Sequence, residues 1–252
     1  MRAARFVRPD PVLGSLRSCS MILTAHGSAD PRSSAITHAV AERVRAARPG
    51  LDVRVAFCEK DSPNLRDVLE GLDAPTVVTP LLLASAYHAR VDIPAMIAQA
   101  GADVIQADAL GEDPRLVDVM RERLAEAGVD PRDREVGVLV VAVGSSRSAA
   151  NARTSTLAGP LAVGTRWSGV QVAYATGPQP SVLDGVEMLR RRGARRVVIA
   201  PWFIAPGRIT DRVAEIAGSA GIAMVAPLGA HPLVARTVVD RFDQAVAARL
   251  AA

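Results

Sequence analysis

SMILTAHGS, residues 20–28, is a short apolar run that ends in a polar turn. GVLVVAVGS repeats the pattern at residues 137–145, with Val143 in the place of His26, 117 residues away. Three more pairs follow at 117, 117 and 121 residues: Glu59 with Thr176, Pro63 with Pro180, and Pro80 with Pro201. Nearly constant spacing of this kind indicates an internal duplication, in which one short insertion accounts for the last pair. The first copy alone keeps the polar residues His26 and Glu59.

The composition is that of a folded protein with ordinary apolar cores. Of 252 residues, 49% are hydrophobic and 22% are charged, with a net charge of +4. Aromatic residues, at 3%, are too scarce for the stacking platforms of single-strand binding proteins, and no long basic run is present. No apolar run reaches the ~18 residues of a membrane span. We therefore expect neither nucleic acid nor membrane as a partner, and the arginine-rich charge favours a small polyanion.

Cysteine usage and the first residues bear on location. Cys19 and Cys58 are too few for a disulfide framework, which favours a reducing compartment. Residues 1–20 contain arginines and prolines and lack the apolar core of a signal peptide, while Met21 stands at the first strand. We expect a cytoplasmic protein in which residues 1–20 form a flexible tail or reflect an upstream start.

Short apolar runs alternate with longer amphipathic ones along both halves. Continuous Val, Ile and Leu strands between helices are typical of parallel sheets covered on both faces. The pattern predicts an α/β fold of two tandem, doubly wound parallel-sheet domains, residues 21–129 and 130–252. Strands are predicted at 20–25, 52–57, 76–83, 102–107, 137–143, 169–175, 196–203 and 223–226. Helices are predicted at 34–47, from Ser62 and Pro63 onward, and at 92–100, 113–127, 149–161, 181–192, 210–219 and 232–248.

Three polar residues follow consecutive strands of the first half: His26, Glu59 and His88. In doubly wound sheets ligands bind beyond the carboxyl ends of the strands, so we expect these side chains in one crevice. Two neutral imidazoles and a carboxylate form an open ligand set for divalent iron, cobalt, nickel or zinc. The same groups accept protons near neutral pH. Insertion of a metal into a tetrapyrrole needs both properties, because two pyrrole protons leave as the metal enters.

These residues also have ordinary structural interpretations. A lone histidine at a strand end is more often a hydrogen-bonded loop residue than a ligand, and Glu59 beside Lys60 suits a solvated loop carboxylate. Absence of all three polar residues from the second copy favours function. Among the other candidates, His38 and His231 are expected at the surface, and Cys58 is expected to be a buried apolar thiol.

The turn at Gly27 and Ser28 suits an anion, because backbone N–H groups at a strand-to-helix turn can hold one. Neither GxGxxG nor GxxxxGK[ST] occurs there, so no nucleotide is expected. A histidine followed by glycine also occurs in histidine phosphatases, but these have an arginine before the histidine, where this chain has Ala25. A phosphate-ester hydrolase is therefore the weaker hypothesis.

Two segments carry a family resemblance: LTAHGSADPR at residues 23–32 and PLLLASAYHARVDIP at residues 80–94, with Phe-Cys-Glu at 57–59 between them. Together they resemble the CbiX/SirB group of sirohydrochlorin chelatases, which act without ATP. The resemblance covers residues 21 to about 127 closely and the second half more loosely. It implies that His26 and His88 bind the metal and that both act with Glu59 in catalysis. It also implies a polycarboxylate substrate, for which the expected binding residues are Ser28, Arg32, Arg90, Arg147 and Arg208.

The resemblance implies one active site in the first half, facing a degenerate second half across a cleft. The expected activity is a lyase reaction of cobalamin or siroheme biosynthesis, insertion of Co²⁺ or Fe²⁺ into sirohydrochlorin, with Ni²⁺ or Zn²⁺ as substitutes in vitro. The alternative is a non-catalytic protein that binds metal or tetrapyrrole. Because two tandem halves can form a pseudo-dimer within one chain, we expect a monomer or a weak homo-oligomer.

Overall fold

The computed structural model describes residues 19–72, 74–84, 88–100 and 104–251. Its strands are β1 Ser20–Ala25, β2 Val53–Phe57, β3 Thr76–Pro80, β4 Val104–Gln106, β5 Val136–Ala142, β6 Gly169–Tyr174, β7 Arg196–Pro201 and β8 Ala223–Met224. Its helices are α1 Pro31–Ala47, α2 Leu65–Glu70, α3 Ile93–Ala100, α4 Pro114–Glu126, α5 Ser148–Ser155, α6 Ala158–Ala162, α7 Val182–Arg191, α8 Arg208–Ser219 and α9 Pro232–Leu250. A π-helical turn, His88–Asp92, runs directly into α3. The first 18 residues of the predicted tail lie outside the described ranges.

The described strands form two four-stranded sheets, and every strand pair within them is parallel. The strand order is β2-β1-β3-β4 in one sheet and β6-β5-β7-β8 in the other. This confirms the predicted α/β class and the duplication. In the first sheet β1 lies between β2 and β3, so the carboxyl ends of these three strands are neighbours.

The two halves share loop geometry as well as strand order. After β2 the chain folds back so that the Phe57 N–H donates to the Pro63 carbonyl over 3.0 Å. After β6 the Tyr174 N–H donates in the same way to the Pro180 carbonyl over 2.9 Å. The spacing of 117 residues read from the sequence is therefore a spacing between equivalent backbone positions.

The two halves exchange helices. Helix α9, from the end of the second half, packs against α1 and β3 of the first half. Helix α4, from the end of the first half, packs against α6 and β7 of the second half, and also against α9. One continuous set of buried apolar side chains accordingly includes residues of both sheets. This interlock fixes the carboxyl ends of the two sheets relative to each other.

Two predicted helix boundaries are wrong for identifiable reasons. Helix α2 is capped by Asn64, whose side chain accepts the Arg66 N–H over 3.0 Å, and not by Ser62. The predicted helix 149–161 is divided into α5 and α6. Pro160 explains the division, because proline lacks an N–H and its ring clashes with the carbonyl four residues earlier.

Smaller differences occur at other element ends. Strand β3 ends at Pro80 instead of residue 83, and the chain bends at residues 83–84. Strand β8 has two residues, and the first two residues of the predicted strand 102–107 lie outside the described ranges. Among the described helices, none combines the length and apolarity needed to cross a membrane.

Candidate metal and tetrapyrrole site

His26 and Glu59 meet at the carboxyl ends of β1 and β2. His26 Nε2 lies 2.9 Å from Glu59 Oε1, and the two side chains are 35% and 48% exposed. Their backbones also meet, because the Glu59 N–H donates to the His26 carbonyl over 3.0 Å. Gly27 permits this approach: its φ is +91°, and a Cβ there would overlap the Glu59 carbonyl oxygen. Two residues 33 positions apart are thus held in direct contact, within reach of solvent.

The residues that follow Glu59 complete this loop. Lys60 Nζ lies 3.4 Å from Glu59 Oε1, the same oxygen that contacts His26, so this carboxylate oxygen has a cationic neighbour as well. The Asp61 carboxylate accepts the backbone N–H of Ser28 over 2.9 Å. The N–H that an anion would use at this turn is therefore already engaged. No sequence motif marked Lys60 or Asp61, because each acquires its role only through the folding of the loop.

His88 begins the π-helical turn just past the end of β3. Its side chain, and with it the predicted convergence with His26, lies outside what the structure describes. Within the described ranges, no group of three or more His, Cys, Asp or Glu side chains is placed to hold a metal ion.

A cleft opens beside His26 between the two halves. One cavity of about 450 Å³ contains His26, Ser28, Lys60 and Arg208 in its lining. A second cavity of about 480 Å³ extends along the second half. The two cavities share an apolar floor, consisting of Leu81, Leu82, Val143, Phe203 and Ile204. We call the two cavities together the cleft. The floor could not be predicted from the sequence, because it forms only where the two halves meet.

The predicted substrate arginines occupy different places. Arg208, the first residue of α8, lines the His26 cavity, and Arg147, the residue before α5, lines the second cavity. Both are exposed. Arg90 instead lines a separate cavity of about 410 Å³ together with Arg153 and Arg241.

Arg32 is held in ion pairs that join the two halves. Its guanidinium contacts Asp30 at 2.6 Å and Asp211, in the first turn of α8, at 2.5 Å. Hydrogen bonds to these two carboxylates raise the pKa of Arg32. This arginine therefore lies beside the cleft with its charge already partnered.

The second half keeps the loop backbone and lacks its ionisable side chains. The Thr176 N–H donates to the Val143 carbonyl over 2.9 Å, matching the contact between Glu59 and His26. Gly144 has a φ of +93°, close to that of Gly27. The predicted loss of metal-binding side chains from the second copy thus coincides with an intact scaffold.

The remaining candidates have structural roles. His231 was expected at the surface, but it caps α9 by accepting the Leu233 N–H over 3.2 Å, and its Nε2 lies 2.9 Å from Glu122. His38 is exposed, as predicted. Cys58 is buried, as predicted, and burial raises the pKa of its thiol.

Comparison with known proteins gives one family. The CbiX family model matches the chain twice, over residues 20–127 and 137–245. Sirohydrochlorin ferrochelatase of Priestia megaterium is 26% identical over 208 residues, which are 78% of this chain and 77% of the relative. Sirohydrochlorin cobaltochelatase of the same organism is 26% identical over 215 residues, 78% of this chain and 68% of the relative.

Solved structures share the architecture. SirB from Bacillus subtilis with Fe³⁺ superimposes with a TM-score of 0.77 at 20% identity, covering 91% of this chain and 96% of that one. The structure of CbiX described as the terminal enzyme of siroheme biosynthesis in denitrifying bacteria gives a TM-score of 0.68 at 23% identity, covering 90% and 99%. At these identities the likeness is one of fold.

Proposed function

Because this chain belongs to the CbiX family and contains two copies of the family domain, we propose that it inserts Fe²⁺ or Co²⁺ into sirohydrochlorin without ATP. The two Priestia megaterium relatives carry these two activities, one for iron and one for cobalt. The reaction belongs to siroheme or cobalamin biosynthesis, according to the metal inserted.

The contact between His26 and Glu59 carries this proposal. His26 Nε2 lies 2.9 Å from Glu59 Oε1. A divalent ion bound by His26 would therefore lie directly beside a carboxylate that can take up a proton. Partial exposure of both groups leaves the ion open to an incoming macrocycle.

The shape and charge of the cleft suit sirohydrochlorin. A flat macrocycle can rest on the apolar floor, which buries its faces, while its carboxylates reach the polar rim. We assign rim contacts to Arg147, Arg208 and Ser28, and longer-range attraction to Arg32 and Arg90. The second half then acts as a wall, since Val143 stands where a metal ligand would otherwise be.

The protons released by the macrocycle need an acceptor beside the metal. Glu59 is suited to this role, because its carboxylate is already in hydrogen-bonding distance of His26. We assign the second metal-binding position to His88, which begins the turn after β3, next to β1 in the sheet. His26 and His88 hold the ion while the ring docks. Glu59 accepts one pyrrole proton, and His88 accepts the other once its nitrogen has released the metal to the ring.

The helix exchange supports a monomer, because helices α4 and α9 already join the two halves within one chain. Light scattering on the purified protein tests this point, and a stable dimer would contradict it. The cysteine content supports a cytoplasmic location, because two cysteines are too few for a disulfide framework.

Metal insertion assayed in parallel with Fe²⁺, Co²⁺ and Ni²⁺ tests the function. Mixing the protein with sirohydrochlorin and each metal should give absorbance changes that continue beyond one equivalent of product per protein. A change that stops at one equivalent would indicate the alternative, a metal- or tetrapyrrole-binding protein. Absence of any change would reject both hypotheses.

A further inference from the structure

Lys60 has an unusual backbone conformation. Its φ is +64°, and within the described ranges it is the one residue other than glycine with a positive φ. A Cβ makes this left-handed conformation unfavourable, whereas glycine adopts it readily. The equivalent position in the second half, 117 residues later, is Gly177, with a φ of +71°. The two loops thus share one conformation, and the half that carries His26 holds a lysine where glycine fits better.

The Lys60 side chain is directed to the proposed site. It lines the same cavity as His26, and its Nζ lies 3.4 Å from Glu59 Oε1. The side chain is 53% exposed, and an ammonium has three donors, so a ligand can reach it while the contact with Glu59 remains.

The charge lining this cavity has one sign. Among its described lining residues the permanently charged ones are Lys60 and Arg208, and no Asp or Glu is included. Lys60 comes from the loop after β2 and Arg208 from the start of α8, so the two cations lie on opposite walls. A ligand that bridges these walls would carry anionic groups on opposite sides.

We propose that Lys60 binds a carboxylate on the rim of the macrocycle, across the cleft from Arg208, and thereby selects polycarboxylate tetrapyrroles. The inference rests on the proposed function, and it assigns a substrate-binding role to a residue that no sequence motif singled out. It also explains the lysine at a left-handed position: the unfavourable backbone is retained because the side chain contacts substrate.

Three variants test the role of Lys60: Lys60→Asn, Lys60→Arg and Lys60→Gly. Asparagine tolerates the left-handed conformation and removes the charge, so the loop should remain folded. Metal-free titration by absorbance should show Lys60→Asn weakening sirohydrochlorin binding about three- to tenfold, as expected for a half-exposed ion pair in a cleft. Lys60→Arg should stay within about twofold of the unchanged protein. Lys60→Gly should weaken binding like Lys60→Asn and raise the Tm, because the backbone strain is relieved.

A porphyrin with only two carboxylates serves as the control ligand. Its Kd should change less than that of sirohydrochlorin in Lys60→Asn, and high salt should narrow the difference for sirohydrochlorin. Equal weakening for both ligands, or an unchanged Kd for sirohydrochlorin, would overturn the inference. So would a fall in kcat at constant KM, which would mean that Lys60 only positions Glu59. If the unchanged protein bound sirohydrochlorin without turnover, the proposed function would fail while the binding data still decided the role of Lys60.

Discussion

The loops after β1 and β5 share a backbone conformation but carry different side chains. In each loop, a glycine with a φ above +90° lets the loop after the following strand come close, and a backbone hydrogen bond of about 3 Å joins the two loops. The first loop carries His26 and Glu59, and the second carries Val143 and Thr176. The difference shows that the loop fold depends on glycine and the main chain, whereas the proposed chemistry depends on side chains that can be lost without loss of structure.

Removal of His26 should have the largest effect on activity. We expect His26→Ala to lower the rate of metal insertion about a thousandfold, near 4 kcal/mol, because the metal loses a ligand beside its proton acceptor. Val143→Ala, at the equivalent position, removes only two methyl groups from the floor of the cleft and should change the rate by no more than about threefold. The insertion assay measures both, with circular dichroism to establish folding. Retention of a tenth of the activity by His26→Ala would contradict the assignment.

The glycines of the two loops test whether the shared backbone is structural. Gly27→Ala introduces a Cβ at a φ of +91° and against the Glu59 carbonyl, so we expect a loss of about 3 kcal/mol in the free energy of unfolding. Gly144→Ala, which meets Thr176 in the same way, should cost a similar or somewhat smaller amount. Urea unfolding measures both. A loss confined to Gly27 would show that the second loop no longer needs its conformation.

A variant of Glu59 can distinguish its proposed role as proton acceptor from a role in the structure of the loop. Glu59→Gln keeps the side-chain size but not its basicity, so we expect the insertion rate to fall about a hundredfold while metal-free sirohydrochlorin binding stays within about twofold. Thr176→Val is the matched change in the second half and should leave the rate unaltered. If Glu59→Gln inserted metal at the original rate, another group would have to accept the protons.

The sequence predicted the features of this fold that depend on residues close together in the chain or on the repeat spacing. Continuous apolar runs identified both sheets, and the spacing of 117 residues located equivalent loops. The pairing of His26 with Glu59 followed from topology, since β1 and β2 are adjacent and parallel. The helix exchange could not be predicted, because the apolar face of α9 shows that the helix is buried but not against which sheet.

Side-chain partners at the site were the least predictable. The apolar floor of the cleft unites residues from both halves, and no spacing rule relates them. The ion pair of Arg32 with Asp211 could not be predicted either, because the two residues are 179 positions apart in the sequence. The start of α2 could have been predicted from the duplication. Asn64, its cap, is equivalent to Ser181, which caps α7 with a complete capping box.

The caps of the two exchanged helices allow a comparison at the interlock. Asp113 caps α4 and is 7% exposed; burial raises its pKa, but hydrogen bonds and charge from Arg115 and Arg241 outweigh this and hold the pKa below 3.8. His231 caps α9 at the equivalent place, and its partner Glu122 is half exposed.

We expect Asp113→Asn to lower the free energy of unfolding by about 2 kcal/mol at pH 7, because asparagine still caps but the partly buried Arg115 and Arg241 lose a carboxylate partner, Asp240 remaining only beside Arg115. His231→Asn should cost about 1 kcal/mol or less. A depressed pKa in the folded state stabilises the protein above the ordinary value and loses this effect as pH falls through the folded value. The effect of Asp113→Asn should therefore shrink below pH 3.8, and an effect that grew there would contradict the assignment.

Two ion pairs between the halves should show the smallest effects and sharpen the role of Arg32. Arg32 pairs with Asp211 beside the cleft. Arg48 pairs with Asp243, at a distance of 2.7 Å, outside the cleft. All four side chains are about half exposed. Arg32→Gln and Arg48→Gln should each lower the free energy of unfolding by less than about 1 kcal/mol, and less still in high salt. Only Arg32→Gln should raise the KM for sirohydrochlorin, by about twofold, because its charge lies near the proposed carboxylate contacts. Equal KM values for the two variants would show that Arg32 joins the two halves and has no role in substrate binding.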